Sequence, residues 1–278
     1  MFALIEQKFG KLGKNYSNMR NVTPVDAVVD RPSLFWLFTE FSRAAAEMGF
    51  FIPYRKWIAC KDIGDQHPVL VLPGFMASDR STKPLRKFLQ QSGYNAYGWD
   101  LGRNTAKVEF LDILLDKLES IYELEGQKVS LIGWSLGGVF ARQMAKSNPE
   151  MVRQVITLGS PFKGVNQPNN IAWLYNLISG GKRVREVDPV LLEDLPLPPP
   201  VPTTAIYTKE DGIVPWQLCM EEETDIHQNI QVRGSHTGLG VNPTVLEIIA
   251  DRLLYKQSNW EYFQEDNVIK DLLFYPSL

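Results

Sequence analysis

Between His67 and Leu254 short apolar runs alternate with segments of helical period, and few folds accept that pattern. The runs "PVLVLPG" (68–74), "YNAYGWDLG" (94–102), "KVSLIG" (128–133), "QVITLGSP" (154–161), "TAIYTKEDG" (204–212) and "NIQVRG" (229–234) read as six strands. Segments 83–91, 107–123 and 136–148 read as the helices between them, and 243–254 as a closing helix. The second of these carries Leu111, Leu114, Leu115, Leu118 and Tyr122 at helical spacing, and the last sets Val245, Ile248, Ile249 and Leu253 on one face. Strands that are apolar along their length are buried on both sides. The pattern therefore predicts an α/β chain with a mostly parallel sheet of about six strands and helices on both faces.

The rest of the chain narrows the partners. With 278 residues, 44% of them hydrophobic, one large core is within reach. Lysine and arginine number 29 against 32 acidic residues, and no basic block stands out, which argues against nucleic acid. The two cysteines, Cys60 and Cys219, form no ligand cluster. They read as buried thiols, and neither a metal nor a cofactor is implied. The first residues lack a continuous apolar core, so no secretory signal is read there and a cytoplasmic location is expected. Residues 1–62 read as a helical extension packed on the core, ahead of the main unit at 63–278. Within the extension, Ser33 caps a helix over 34–48 that Gly49 ends. Phe35, Trp36, Phe38, Phe41 and Ala45 make it apolar, and contact with a membrane surface is the second reading of that face.

The chemistry centres on "GWSLGG". Ser135 lies after an apolar strand and before a helix, between Gly133 and Gly137. So tight a turn strains the serine, and side chains two positions away on either side would clash. In a parallel sheet, ligands collect at the carboxyl ends of the strands, which is where this serine falls. A serine hydroxyl needs a base to take its proton. Of three histidines, His67 and His227 precede strands, and His227 reads as a surface residue. His236, in "GSHTGLG", follows the sixth strand. It is the candidate base. Its orienting carboxylate should also sit past a strand end, as Asp211 does. Glu210 beside it points the other way, and Asp225 lies at the wrong end. Oxyanion donors are expected from the backbone N–H of Leu136, at a helix N-terminus, and of Phe75 after the first strand, with Met76 as fallback.

Together, "GWSLG", the late "EDGIV" and the final "GSH" resemble the α/β-hydrolase family from about Val69 to Leu254, and "PGFMAS" and "LGSPFKG" are most like bacterial lipases and carboxylesterases. The resemblance implies the α/β-hydrolase fold and a Ser135–Asp211–His236 triad. Phe162 stands where relatives often carry a histidine, and Pro73-Gly74 where many lipases have His-Gly.

Residues 163–203 are too long for a simple connection, and in that family a small helical cap is inserted there. "NNIAWLYNLISGG" reads as a lid helix capped by Asn170, apolar on both sides, and 187–195 as a second one; "LPLPPPVP" (195–202) reads as a stiff extended connector. Substrate contacts are expected from Met76, Trp134, Trp173, Leu174 and Leu177. The implied activity is cleavage of a carboxylic ester, one with an apolar acyl group, through an acyl-enzyme. An acyltransferase or thioesterase would use the same triad, and a non-catalytic binding protein on the same fold is the remote alternative.

Overall fold

The computed structural model describes residues 32–59, 64–163, 193–264 and 274–276. Six strands form one sheet: β1 (Pro68–Leu72), β2 (Asn95–Tyr97), β3 (Val129–Trp134), β4 (Val152–Leu158), β5 (Thr203–Tyr207) and β6 (His227–Gln231). Their order is β2-β1-β3-β4-β5-β6, and every pair is parallel. The apolar runs are explained by burial on both sides. Val69 and Val71 of β1 enter one core cluster, and Leu70 and Leu72 the other.

Helices α3 (Phe110–Glu125) and α4 (Leu136–Ser147) cover one face, where Leu114, Leu118, Ala141 and Met144 meet Leu70 and Leu72. On the other face α2 (Asp79–Gln91) and α5 (Pro243–Leu254) bring Phe88, Leu89, Ile248 and Leu253 into the same core cluster as Val69 and Val71. The start of α5 follows its local chemistry. Pro243 opens the first turn, and the Asn242 side chain accepts from the N–H groups of Thr244 and Val245. The chain order reverses at β1, with β2 on one side and β3 on the other. In open α/β sheets ligands bind outside the carboxyl ends of the strands at such a switch point, here β1 and β3.

Helix α1 (Leu34–Ala59) departs from expectation twice. It runs through Gly49 and Pro53 instead of stopping at Gly49. Tertiary contacts outweigh the local signals: Phe51 is fully buried in the core, and the Tyr54 hydroxyl bonds Glu247 of α5. Its aromatic face also does not pack on the core. Phe35, Phe38 and Phe41 are exposed, Phe38 by 83%, while Glu40 is 1% exposed. The proline-rich connector is not extended throughout either, because Leu197 N–H donates to Asp194 O and closes a turn. The lid helices, apart from residues 193–195 at the end of the second, lie outside the described residues, with Trp173, Leu174, Leu177 and Cys60.

Candidate active site

Ser135 sits at φ 51°, ψ −122°, a conformation side chains rarely adopt. Its N–H donates to Leu158 O of β4 (2.8 Å), which ties the turn to the next strand. The flanking glycines are sterically required. A Cβ at Gly133 would lie 2.3 Å from Gly138 Cα, and one at Gly137 would lie 2.3 Å from Leu72 O. The loop after β1 also comes close, since a Cβ at Gly74 would meet the Ser135 Cβ at 3.2 Å.

The Asp211 and His236 side chains meet on the loops after β5 and β6. His236 Nδ1–H donates to Asp211 Oδ2 at 2.6 Å, and both residues are buried. The other carboxylate oxygen accepts from the N–H groups of Ile213 (2.8 Å) and Val214 (2.6 Å), so the loop itself orients Asp211. Burial opposes charge on His236, but the Asp211 charge and hydrogen bond, with the Glu40 charge behind them, raise its pKa above the ordinary histidine value. Glu210 turns elsewhere and accepts from Gly234 N–H. Asp225 precedes β6, at the amino end. Trp134, next to Ser135, donates its indole N–H to His236 O (3.0 Å), joining the serine turn to the histidine loop. Among the described residues no hydrogen bond joins Ser135 Oγ to the His236 ring, whose Nδ1 is engaged by Asp211.

The two oxyanion candidates are separable. Met76 N–H donates to Asn104 O at 2.7 Å, which removes the fallback donor. Among the described residues nothing accepts from the N–H of Phe75 or Leu136. Asn104 is itself fully buried and donates to Pro73 O (2.8 Å), pinning the loop that carries Phe75.

Sequence reasoning missed a set of polar residues on α1. Glu40 Oε1 accepts from Thr237 N–H (2.7 Å) and from its hydroxyl (2.8 Å), while Oε2 accepts from Gly212 N–H (3.2 Å) and Arg43 (2.9 Å). Arg43 donates onward to Gly234 O and Glu210 O, each at 3.0 Å. Glu47 accepts from Ser235 N–H at 2.7 Å. The available signal was the spacing of Glu40, Arg43 and Glu47, one polar stripe on a helix otherwise rich in aromatics. Arg142 of α4 was missed as well. It stacks over Phe162 at 3.6 Å, pairs with buried Glu221 and donates to Leu197 O at 2.8 Å, so it clasps the described residues on either side of 164–192.

The remaining histidines lie at the amino end. His227 is buried, not a surface residue. It is the first residue of β6, and its Nε2 bonds Pro199 O of the proline-rich connector at 2.9 Å. His67 bonds Asp65 through Nδ1 and Ser130 Oγ through Nε2 (2.9 Å). Cys219 is a buried free thiol. Among the described residues no group of three or more His, Cys, Asp or Glu could hold a metal ion, and no helix is long and apolar enough to cross a membrane.

The family model for palmitoyl protein thioesterase matches residues 68–194, a little under half the chain. No curated protein matches. Among solved structures, Aspergillus fumigatus lipase B is 18% identical, with 69% of this chain and 53% of that one covered and a TM-score of 0.54. Paleococcus ferrophilus monoacylglycerol lipase is 14% identical, with 68% and 96% covered and a TM-score of 0.51. With a six-stranded parallel sheet of this order and these neighbours, the chain has the α/β-hydrolase fold.

Proposed function

We propose that the protein is a serine hydrolase that cleaves carboxylic esters, a lipase or carboxylesterase in kind, with Ser135, His236 and Asp211 as its triad. The observation that carries this is the strained Ser135 turn at the same sheet end as a buried His236–Asp211 pair. His236 takes the Ser135 proton as the hydroxyl attacks the ester carbonyl, and Asp211 holds the imidazolium that forms. The N–H groups of Phe75 and Leu136 receive the tetrahedral oxyanion, the second at the dipole-positive end of α4. His236 then protonates the leaving alcohol, and water, activated by the same ring, releases the acid from the acyl-enzyme.

A thioester is the second substrate class, favoured by the thioesterase family model over residues 68–194. The acyl-enzyme is the same and only the leaving group differs. Hydrolysis of p-nitrophenyl esters from acetyl to palmitoyl, set beside a palmitoyl thioester, tests both, with Ser135→Ala as control. Undiminished activity in that variant would remove the reading.

The exposed Leu34, Phe35, Phe38 and Phe41 on α1 support peripheral contact with lipid or aggregated substrate. Phe38→Glu with Phe41→Glu should then lower hydrolysis of emulsified long-chain ester several-fold and leave soluble acetyl ester untouched. Equal losses on both substrates would count against that contact.

A further inference from the structure

We infer that Glu40 is a positioning residue for the candidate triad, linking the aspartate loop to the histidine loop from outside the hydrolase core; this rests on the serine-hydrolase reading above. One carboxylate makes both links. Through Gly212 N–H it holds the residue after Asp211, and through the N–H and hydroxyl of Thr237 it holds the residue after His236. Glu40 is 1% exposed, and a buried charge is kept only where every lone pair has a donor. Here four donors converge on it, three of them from the two loops and the fourth from Arg43.

The link also carries charge. The groups facing this region are Asp211 on the ring itself, Glu40, Arg43 and Glu47 on α1, Glu210 and Arg233 on the flanking loops, and the Cys219 thiol. Of these, Asp211 and Glu40 favour the imidazolium. Glu40 is therefore placed to stabilise the protonated His236 that forms as Ser135 attacks. Asp211 sets the tautomer through direct contact, and Glu40 keeps the two loops in the register that makes this contact 2.6 Å long.

The test is titration of the three histidine rings by NMR in wild type and Glu40→Gln, paired with fluorophosphonate labelling of Ser135 across pH. Glutamine keeps the shape and one acceptor but removes the charge. In that variant the His236 midpoint should fall by about half a pH unit, while His67 and His227, at the opposite end, stay put. The acid limb of the labelling profile should move down with it, and the plateau rate should drop roughly tenfold. A merely structural lesion would lower the plateau without moving the midpoint. Arg43→Gln gives the opposite sign, because it leaves Glu40 uncompensated, so the inference remains testable if Glu40→Gln does not fold. Unchanged His236 midpoints in a labelled, folded variant would overturn the role of Glu40. A wild type that titrates normally but never labels at Ser135 would overturn the serine-hydrolase reading, and the positioning role with it.

Discussion

The protein contains two hydrogen-bonded His–Asp pairs, each with a serine of β3 or its end nearby, at opposite ends of the sheet. At the carboxyl end are Ser135, His236 and Asp211. At the amino end Ser130, His67 and Asp65 form a continuous chain, with the Ser130 hydroxyl 2.9 Å from the His67 ring. By hydrogen bonding alone the amino-end set is the more complete relay. What separates the two is backbone. Ser130 pairs with Val69 and Gln154 inside the sheet, where backbone N–H groups serve neighbouring strands and no helix N-terminus faces the hydroxyl. Ser135 has left the strand at a positive φ, and the helix it opens presents N–H groups without partners.

The two bases also differ. Burial, then the Arg153 charge, push the His67 pKa down to about 4, whereas that of His236 is raised. Ser130 and His67 are fully buried and do not line the cleft beside Asp65 and Arg153. On the proposed reading, a Ser–His–Asp constellation needs a strand end, a strained turn and free donors before it can act as a site.

The largest effect is expected from Ser135→Ala. Ester hydrolysis should fall by about 10⁶-fold in kcat, to the residue left by binding and the oxyanion donors. Steady-state rates on a p-nitrophenyl ester read it directly. Next comes Asp211→Asn, expected to cost about 10⁴-fold in kcat, because the amide favours the wrong tautomer of His236. Asp65→Asn makes the same change at the other end and should leave kcat alone. If the two asparagine variants lost activity equally, the distinction between the ends would fail.

The difference between the ends also explains what could be read in advance. The strands were legible because burial on both faces leaves apolar runs, and Ser135 because its turn forces glycines at 133 and 137. That Asp211 and His236 lie past the ends of β5 and β6 followed from the order of strands and loops, and their hydrogen bond from that placement. The loops that hold them were not legible. Asn104 acts on Pro73 across 31 positions and Glu40 on Thr237 across 197, and no local pattern encodes such pairs. Helix α1 misled for a physical reason. Aromatic residues usually face inward, but here three hydrogen bonds to one buried carboxylate outweigh their burial, and the polar stripe faces the protein. His227 misled because histidine is read as polar until its partner, the Pro199 carbonyl, is in place.

The histidines at the two ends also contribute oppositely to stability. His67 titrates below its unfolded value, so the unfolded chain takes a proton that the folded one refuses. Its contribution is complete above pH 6.5 and is lost as pH falls towards 4, an effect of roughly 3 kcal/mol. His227, depressed by burial, adds to the same limb. His236, raised in the fold, has the opposite sign: its contribution is complete below pH 6.5 and is lost as pH climbs through its folded value. Melting temperatures from pH 4 to 8 should therefore show an acid limb that His67→Gln flattens and an alkaline limb that His236→Asn flattens. If His67→Gln altered only the alkaline limb, the neutral buried ring would be ruled out.

The smallest change is the most discriminating. Ser130→Ala removes one hydroxyl from a fully buried site and leaves His67 Nε2 without its partner. The expected cost is about 1–3 kcal/mol of unfolding free energy, the penalty for an orphaned buried acceptor, read from urea midpoints at unchanged slope. Catalytic constants should not move, because the serine lies inside the ladder at the far end of the strand that ends beside Ser135. A fall in kcat with the urea midpoint intact would mean that the amino-end serine, histidine and aspartate reach the chemistry. It would also mean that position on β3, not only the strained turn, decides which serine matters.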